Sequence, residues 1–142
     1  DIALSALIAA PAVVFHELAH KMVALSLGLE ATLYASYFGL GLGILLKILG
    51  LGIFFIPGYV VISGAQPLQS ALSSFAGPLM NLAIALMCMA TLKYARKLHH
   101  RTALVLGVSQ RLNLFLFGFN MIPLPPFDGY KVVFGLIEFF VG

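Results

Sequence analysis

The stretch Phe15-His16-Glu17-Leu18-Ala19-His20 decides how the rest of the sequence is interpreted, because it places two histidines four residues apart inside an apolar run. In a helix, His16 and His20 lie on one face, one turn apart, where two imidazoles can bind one tetrahedral metal ion, usually zinc. Glu17 follows the first histidine, which is the position of a carboxylate that takes a proton from water at the metal. The pattern therefore predicts a zinc ion bound by His16 and His20, with Glu17 as the catalytic base.

The composition places this motif in a membrane. Of the 142 residues, 61% are hydrophobic and only 9% are charged. A soluble domain of this length needs far more polar surface to cover its core, so we expect an integral membrane protein that contacts the lipid bilayer. Ionisable groups at membrane depth are costly and usually mark a functional site. The apolar setting therefore favours a metal site over a chance occurrence of the motif.

Three apolar segments reach the length of about 20 residues that a membrane-spanning helix needs. They are residues 2–29, 70–92 and 102–121. A fourth apolar segment, residues 132–141, is too short to span a bilayer alone. We expect an α-helical polytopic membrane protein in which residues 1–142 form a single core. The sequence starts without a methionine and stops after an apolar stretch, so we also expect this core to be trimmed at both ends.

Residues 31–69 are as apolar as the helices but are punctuated by glycines. Pro57-Gly58 is typical of a turn, and residues 52–56 and 59–63 on either side are rich in β-branched and aromatic side chains. This pattern favours a strand pair, which we expect to pack on the helices at one membrane face, because extended backbone at membrane depth needs protein or water against it. A glycine-rich helix over residues 40–56 remains the alternative.

Two histidines leave a catalytic zinc site incomplete, since such a site takes three protein ligands and a water molecule. The acidic candidates for the third ligand are Asp1, Glu30, Asp128 and Glu138. The histidines lie in the second half of the first helix, and after two further spans the chain returns to that side at Asp128. Three prolines in residues 123–126 forbid a regular helix there, so Asp128 is expected on an irregular stretch. We predict His16, His20 and Asp128 as the zinc ligands.

These residues, together with two further motifs, resemble the site-2 protease family, whose members are intramembrane zinc metalloproteases. The further motifs are Phe75-Ala76-Gly77-Pro78-Leu79-Met80-Asn81 in the second span and Asn120-x-x-Pro123-x-x-x-x-Asp128-Gly129 after the third. The three motifs occur in family order, and the resemblance covers residues 14–131. It implies the same ligands and the same base, and it places Asn81 and Asn120 near the substrate or in a bracing role. The region before residue 66 would be the family's membrane-associated β-hairpin.

The resemblance implies an endopeptidase that cleaves a single-span membrane protein within or near its transmembrane segment. The alternative is a non-catalytic zinc-binding membrane protein, either a metal carrier or a pseudo-protease scaffold, although a carrier has little use for Glu17 beside a ligand. No nucleic-acid partner is predicted, and the oligomeric state is left open.

Two arguments about membrane orientation disagree. The cations are concentrated in residues 93–101, and the positive-inside rule alone would put that loop in the cytoplasm and the zinc nearer the outer face. The family resemblance implies the reverse, with the zinc nearer the cytoplasmic face, and we adopt that orientation as our prediction. In both cases the zinc site and the strand pair share one face, opposite the basic loop.

Overall fold

The computed structural model describes residues 2–35 and 58–142, which form four helices and a two-stranded sheet. The elements are α1 (Ile2–Ser26), β1 (Glu30–Ala35), β2 (Gly58–Ser63), α2 (Pro67–Tyr94), α3 (His100–Asn120) and α4 (Asp128–Val141). Three helices are long and apolar enough to cross a membrane: α1 over Ile8–Ser26, α2 and α3. The predicted fold class is therefore confirmed, and the structure is consistent with a membrane protein.

Helix α2 is the centre of the fold, since it packs against each of the other three helices. Its buried positions are mostly small, including Ala71, Ala76 and Ala85. Gly135 of α4 lies against the start of α2, where an added Cβ would come within 2.6 Å of the Pro67 carbonyl oxygen. Small residues let helix backbones approach closely, which is how helices associate inside a bilayer without a hydrophobic driving force.

The distribution of polar and apolar side chains is the reverse of that in a soluble protein. Large apolar side chains point outward, with Met22 68% exposed and Met87 69% exposed. The two largest side chains that are fully buried among the described residues are asparagines, Asn81 and Asn113. An apolar exterior around a polar interior suits a bundle surrounded by lipid, where buried polar groups bond to one another across helices.

The sheet consists of two antiparallel strands, with Glu30 opposite Ser63 and Ala35 opposite Gly58. Tyr34 and Tyr59 face each other across the strands, and their rings stack with centroids 5.9 Å apart. Such cross-strand aromatic pairs stabilise a small sheet. Both strands contact α1, and the backbone of Val60 in β2 lies at Glu17 of that helix.

The strand predicted over residues 59–63 is confirmed, and in the described part of the chain it pairs with Glu30–Ala35. That pairing was not predicted. A turn signal such as Pro57-Gly58 is local, whereas pairing with a distant segment is decided by side-chain fit, so the sequence pattern indicated the strand but not this neighbour. Residues 52–56 and the alternative helix over residues 40–56 lie outside the described residues.

The link between α3 and α4 has no regular helix, as the three prolines predicted. Asp128, however, is the first residue of α4 and does not lie in the irregular stretch, which corrects the prediction. An acidic side chain is favourable in the first turn of a helix, because it faces the positive end of the helix dipole. An added Cβ at Gly129 would clash with the Met121 carbonyl and come within 2.7 Å of the Ile122 oxygen, so α4 starts directly against the end of α3.

Candidate metal centre

Three side-chain atoms from two helices converge at one point inside the bundle. His16 Nε2 lies 3.0 Å from His20 Nε2 and 3.1 Å from Asp128 Oδ2, and His20 Nε2 lies 3.3 Å from the same oxygen. Both histidines are buried, each with 6% of its surface exposed. Two ligand atoms bound to one tetrahedral zinc ion lie about 3.3–3.6 Å apart, given bonds of about 2.0–2.2 Å. The three atoms therefore have nearly the spacing of ligands that share one ion, and they form the group of described residues that could hold a metal.

Hydrogen bonds at the far side of each imidazole fix where the ring protons lie. His20 Nδ1 is 2.7 Å from the backbone carbonyl oxygen of Ser73, which can only accept, so this nitrogen donates. His16 Nδ1 is 2.5 Å from Asn81 Oδ1. The Asn81 amide nitrogen donates to the Ala12 carbonyl at 3.2 Å, so the Asn81 oxygen is the atom that faces His16. Both Nδ1 atoms therefore carry protons, and both Nε2 atoms are left to face Asp128.

This arrangement requires a cation among the three converging atoms. Two Nε2 lone pairs and a carboxylate oxygen at 3.0–3.3 Å repel one another unless a proton or a metal ion lies between them. Without a metal ion, burial raises the pKa of Asp128, but hydrogen bonds with His16 and His20 outweigh burial and lower the pKa to about 2. The carboxylate is then ionised at neutral pH, as a metal ligand must be. Two imidazoles and one carboxylate are a donor set that fits zinc.

Gly77 of α2 leaves the space that an ion needs. A Cβ built at Gly77 would lie 2.6 Å from His16 Nε2 and would also clash with His20 Nε2. That position is close to both ligand nitrogens, in the region where a shared ion would sit. Glycine is therefore required here by space and not by backbone conformation, and this accounts for the glycine in the motif that ends at Asn81.

Glu17 lies beside the three ligands without belonging to them. Its carboxylate is close enough to interact electrostatically with His16, His20 and Asp128, and it also contacts the backbone N–H of Val60 in β2. The sheet therefore reaches over the metal-binding group at the side where Glu17 lies. A carboxylate in this place can hold a water molecule next to a bound metal.

Of the other residues predicted for the site, Asn81 is hydrogen-bonded to a ligand, whereas Asn120 is hydrogen-bonded within its own helix. Asn81 is fully buried and bonds directly to His16. The amide of Asn120 donates to the Leu116 carbonyl of its own helix at 3.0 Å, and among the described residues it makes no hydrogen bond to the metal-binding group. Glu30 and Glu138 lie on the surface away from that group, and Asp1 lies outside the described residues.

Two residues of the site were missed by sequence reasoning. Ser73 contributes its backbone carbonyl, which leaves no signal in a sequence. Asn113 of α3 accepts a hydrogen bond from Asn81 at 2.8 Å. Its signal was present, because Asn113 and Ser109 are polar residues four apart in an apolar span, and polar groups in such segments usually face the bundle interior.

A cleft of about 310 Å³ lies next to the centre, between β2, the start of α2 and α4. Its lining residues are Ile62, Gly64, Ala65, Ser70, Ser73, Ser74 and Lys131. Ser73 also holds His20, so this partly polar cleft reaches the support of the metal-binding group.

Comparison with known proteins points to the same chemistry. The chain is 38% identical over 126 residues to "Putative zinc metalloprotease MJ0611" of Methanocaldococcus jannaschii, a match that covers 84% of this chain and 63% of that protein. It is 37% identical over 78 residues to "Putative zinc metalloprotease YwhC" of Bacillus subtilis, covering 49% of this chain and 36% of that protein. Both relatives are named as zinc metalloproteases. The matches span less than two thirds of the length of either relative. No family model matches the chain, and no solved structure matches it.

Proposed function

We propose that residues 1–142 form the core of a zinc-dependent intramembrane endopeptidase of the site-2 protease type. The observation that carries the proposal is the convergence of His16, His20 and Asp128 within 3.0–3.3 Å, with Glu17 beside them. The two relatives, both named as zinc metalloproteases, support the reaction class. The motifs that resemble site-2 proteases support the finer assignment.

The position of the centre along α1 supports cleavage inside the membrane. His16 and His20 precede the end of α1 at Ser26 by ten and six residues. At 1.5 Å per residue these distances are about 15 and 9 Å, while the hydrocarbon core of a bilayer is about 30 Å thick. A centre at this depth is level with the transmembrane segment of a substrate. The proposed substrate is therefore a single-span membrane protein.

The roles of the residues follow from their contacts. When bound, zinc supplies a Lewis acid that polarises the scissile carbonyl and makes a water molecule more acidic. His16, His20 and Asp128 would hold it, with the two imidazoles oriented by Asn81 and by the Ser73 carbonyl. Glu17 accepts the proton of the attacking water and returns a proton to the departing amine. Asn120, half-buried at the end of α3, remains a proposed substrate contact.

Strand β2 is the proposed site for an unwound substrate segment. A substrate helix hides its carbonyl groups in its own hydrogen bonds and must open before a peptide bond can be attacked. Val60 of β2 directs its N–H towards Glu17, and β2 pairs with β1 in the described part of the chain. An extended segment added along the edge of β2 that faces Glu17 would bring a carbonyl next to the base, by the strand addition that many peptide-binding proteins use.

The proposal is tested by Glu17→Gln in the full-length protein. This variant keeps all three ligands and removes the base, so we expect it to retain zinc and to lose cleavage by about 100-fold or more. Asp128→Ala should lose both zinc and cleavage. The matched control is Glu30→Gln, the same chemical change at an exposed acid of β1. Zinc is measured in the purified protein. Cleavage is measured on a single-span reporter peptide that carries an Asn-Pro pair in the middle of its span, because this pair weakens the helix there.

Other results would point elsewhere. Near-normal cleavage by Glu17→Gln would exclude its role as base. A wild-type protein that binds zinc but cleaves no single-span reporter would support the alternative, a metal carrier or pseudo-protease scaffold. Mass spectrometry of the products locates the cut, and a cut only in a loop outside the span would contradict intramembrane cleavage.

For orientation, we propose that the metal centre lies nearer the cytoplasmic face. The basic connection between α2 and α3 is at the opposite end of α2 from Ser73, so it would lie outside. A cysteine placed at His99, with Cys88 replaced, should be labelled in intact cells by an impermeant reagent. Protection of that cysteine until the membrane is opened would reverse the assignment.

A further inference from the structure

A buried chain of hydrogen bonds leads from the metal-binding group across the bundle to α3. Asn81 of α2 bonds to His16 on one side and donates to Asn113 Oδ1 of α3 at 2.8 Å on the other. The Asn113 amide nitrogen in turn donates to the Ser109 carbonyl at 2.9 Å and to the Ser109 hydroxyl at 3.3 Å. Both asparagines are almost inaccessible, at 0% and 1% exposure. Amide side chains thus link three helices inside the bundle.

The Ser109 carbonyl, the last acceptor of this chain, determines which atom donates and which accepts in each hydrogen bond. The Ser109 carbonyl can only accept, so the Asn113 nitrogen must face it and the Asn113 oxygen must face Asn81. Asn81 then turns its nitrogen towards Asn113 and its oxygen towards His16. His16 must therefore donate through Nδ1, which leaves Nε2 for the metal. Asn113 has no hydrogen bond to the proposed ligands among the described residues, yet together with the Ala12 carbonyl it fixes which atom of the Asn81 amide faces His16.

We propose that Asn113 is a positioning residue of the metal centre, acting on zinc binding through Asn81 and His16. This inference rests on the proposed zinc site but not on protease activity. Of the two acceptors that orient Asn81, Asn113 is the closer, at 2.8 Å against 3.2 Å for the Ala12 carbonyl. Removing it leaves the weaker partner alone to hold the amide. Groups that orient a metal-binding histidine typically change metal affinity by about 10- to 100-fold, and a residue one step further away should have a smaller effect.

The test is a double-mutant cycle read out as zinc affinity, measured on the full-length protein by competition with a chelator. Asn81→Ala should weaken zinc binding about 10- to 100-fold. Asn113→Ala should weaken it by several-fold in the wild-type background and by less than about twofold in the Asn81→Ala background. That non-additivity is the signature of residues that act through one another, whereas a residue with a separate structural role gives additive effects.

A second readout separates orientation from general destabilisation. With Co²⁺ in place of zinc, Asn113→Ala and Asn81→Ala should shift the visible absorption bands in the same sense, because both loosen the same imidazole. If Asn113→Ala folds poorly, Asn113→Ser serves instead. A serine can still bond to the carbonyl four residues earlier but is too short to reach Asn81, so it should weaken zinc binding as Asn113→Ala does.

Thr91 of α2 supplies the control. Like Asn113, its side chain donates to the carbonyl four residues earlier, that of Met87 at 2.8 Å, but it has no hydrogen bond to the metal-binding group among the described residues. Thr91→Ala should leave zinc affinity unchanged within about twofold. Ser109→Ala should do the same, since the accepting carbonyl remains. Unchanged zinc affinity in Asn113→Ala, or an equal loss with and without Asn81, would overturn the inference whether or not the protein cleaves peptides.

Discussion

His16 and His20 are chemically equal ligands on one helix face, but the molecule holds them in two different ways. His16 is oriented by a side chain, Asn81, which is itself oriented from α3. His20 is oriented by a backbone carbonyl, that of Ser73 in α2. A side chain can be removed by substitution, whereas a carbonyl is retained whatever residue occupies the position. The two supports should therefore differ strongly in their sensitivity to mutation, although both perform the same task.

The largest effect should come from Gly77→Ala, because this substitution disturbs both histidines at once, whichever group orients them. The added methyl group would lie against both Nε2 atoms, at 2.6 Å from that of His16, in the region proposed for the ion. We expect zinc affinity to fall by more than about 100-fold, beyond the range for groups that only orient a ligand. Zinc content of the purified variant measures this. Gly118→Ala is the control, because no described atom outside its own stretch of helix lies within 4 Å of the added Cβ.

Asn81→Ala should remove the support of His16 and leave that of His20 intact. It leaves all three ligands and the His20 support in place, so we expect intermediate zinc binding, weaker by about 10- to 100-fold. Chelator competition gives the value, and the free energy of unfolding of the metal-free protein shows how much of the loss is structural. Affinity as low as that of Gly77→Ala would indicate that Asn81 holds more of the centre than His16.

The smallest effect should come from Ser73→Ala. The carbonyl that accepts from His20 remains, and only the hydroxyl bonds to the Gln69 and Ser70 carbonyls within α2 are lost. We expect zinc affinity within about twofold of wild type and a change in unfolding free energy of about 1 kcal/mol or less. If Ser73→Ala weakened zinc binding as much as Asn81→Ala, the contrast between the two supports would be wrong.

Features that depend on local sequence patterns could be predicted, whereas most features that depend on contacts between distant segments could not. The histidines, their shared helix face and the three spans depend on local periodicity and composition, and the structure has them where the sequence indicated. Asp128 was selected by counting spans, and the structure brings it to both histidines. Asn120 was placed near the site from the resemblance, but its hydrogen bond stays within its own helix.

The remaining features depend on contacts between distant segments. Among the described residues, β2 pairs with a strand more than twenty residues earlier in the chain, and a turn signal beside β2 carries no information about that pairing. Asn113 was visible as a polar residue in a span, but its link to Asn81 depends on how α2 and α3 pack. The backbone carbonyl of residue 73 would be there whatever side chain that residue carried, so only the fold could reveal its role.

The close contact between α1 and α2 also bears on how the proposed substrate would reach the centre. Ala12, His16 and His20 of α1 are hydrogen-bonded to Asn81 and Ser73 of α2, while Asp128 is carried by α4, which packs on α2 at Gly135. Parting α1 from α2 would break both imidazole supports and separate the two histidines from Asp128. An intact centre therefore requires the seam between α1 and α2 to stay closed. The membrane-embedded substrate proposed above would then have to approach from another side of the bundle.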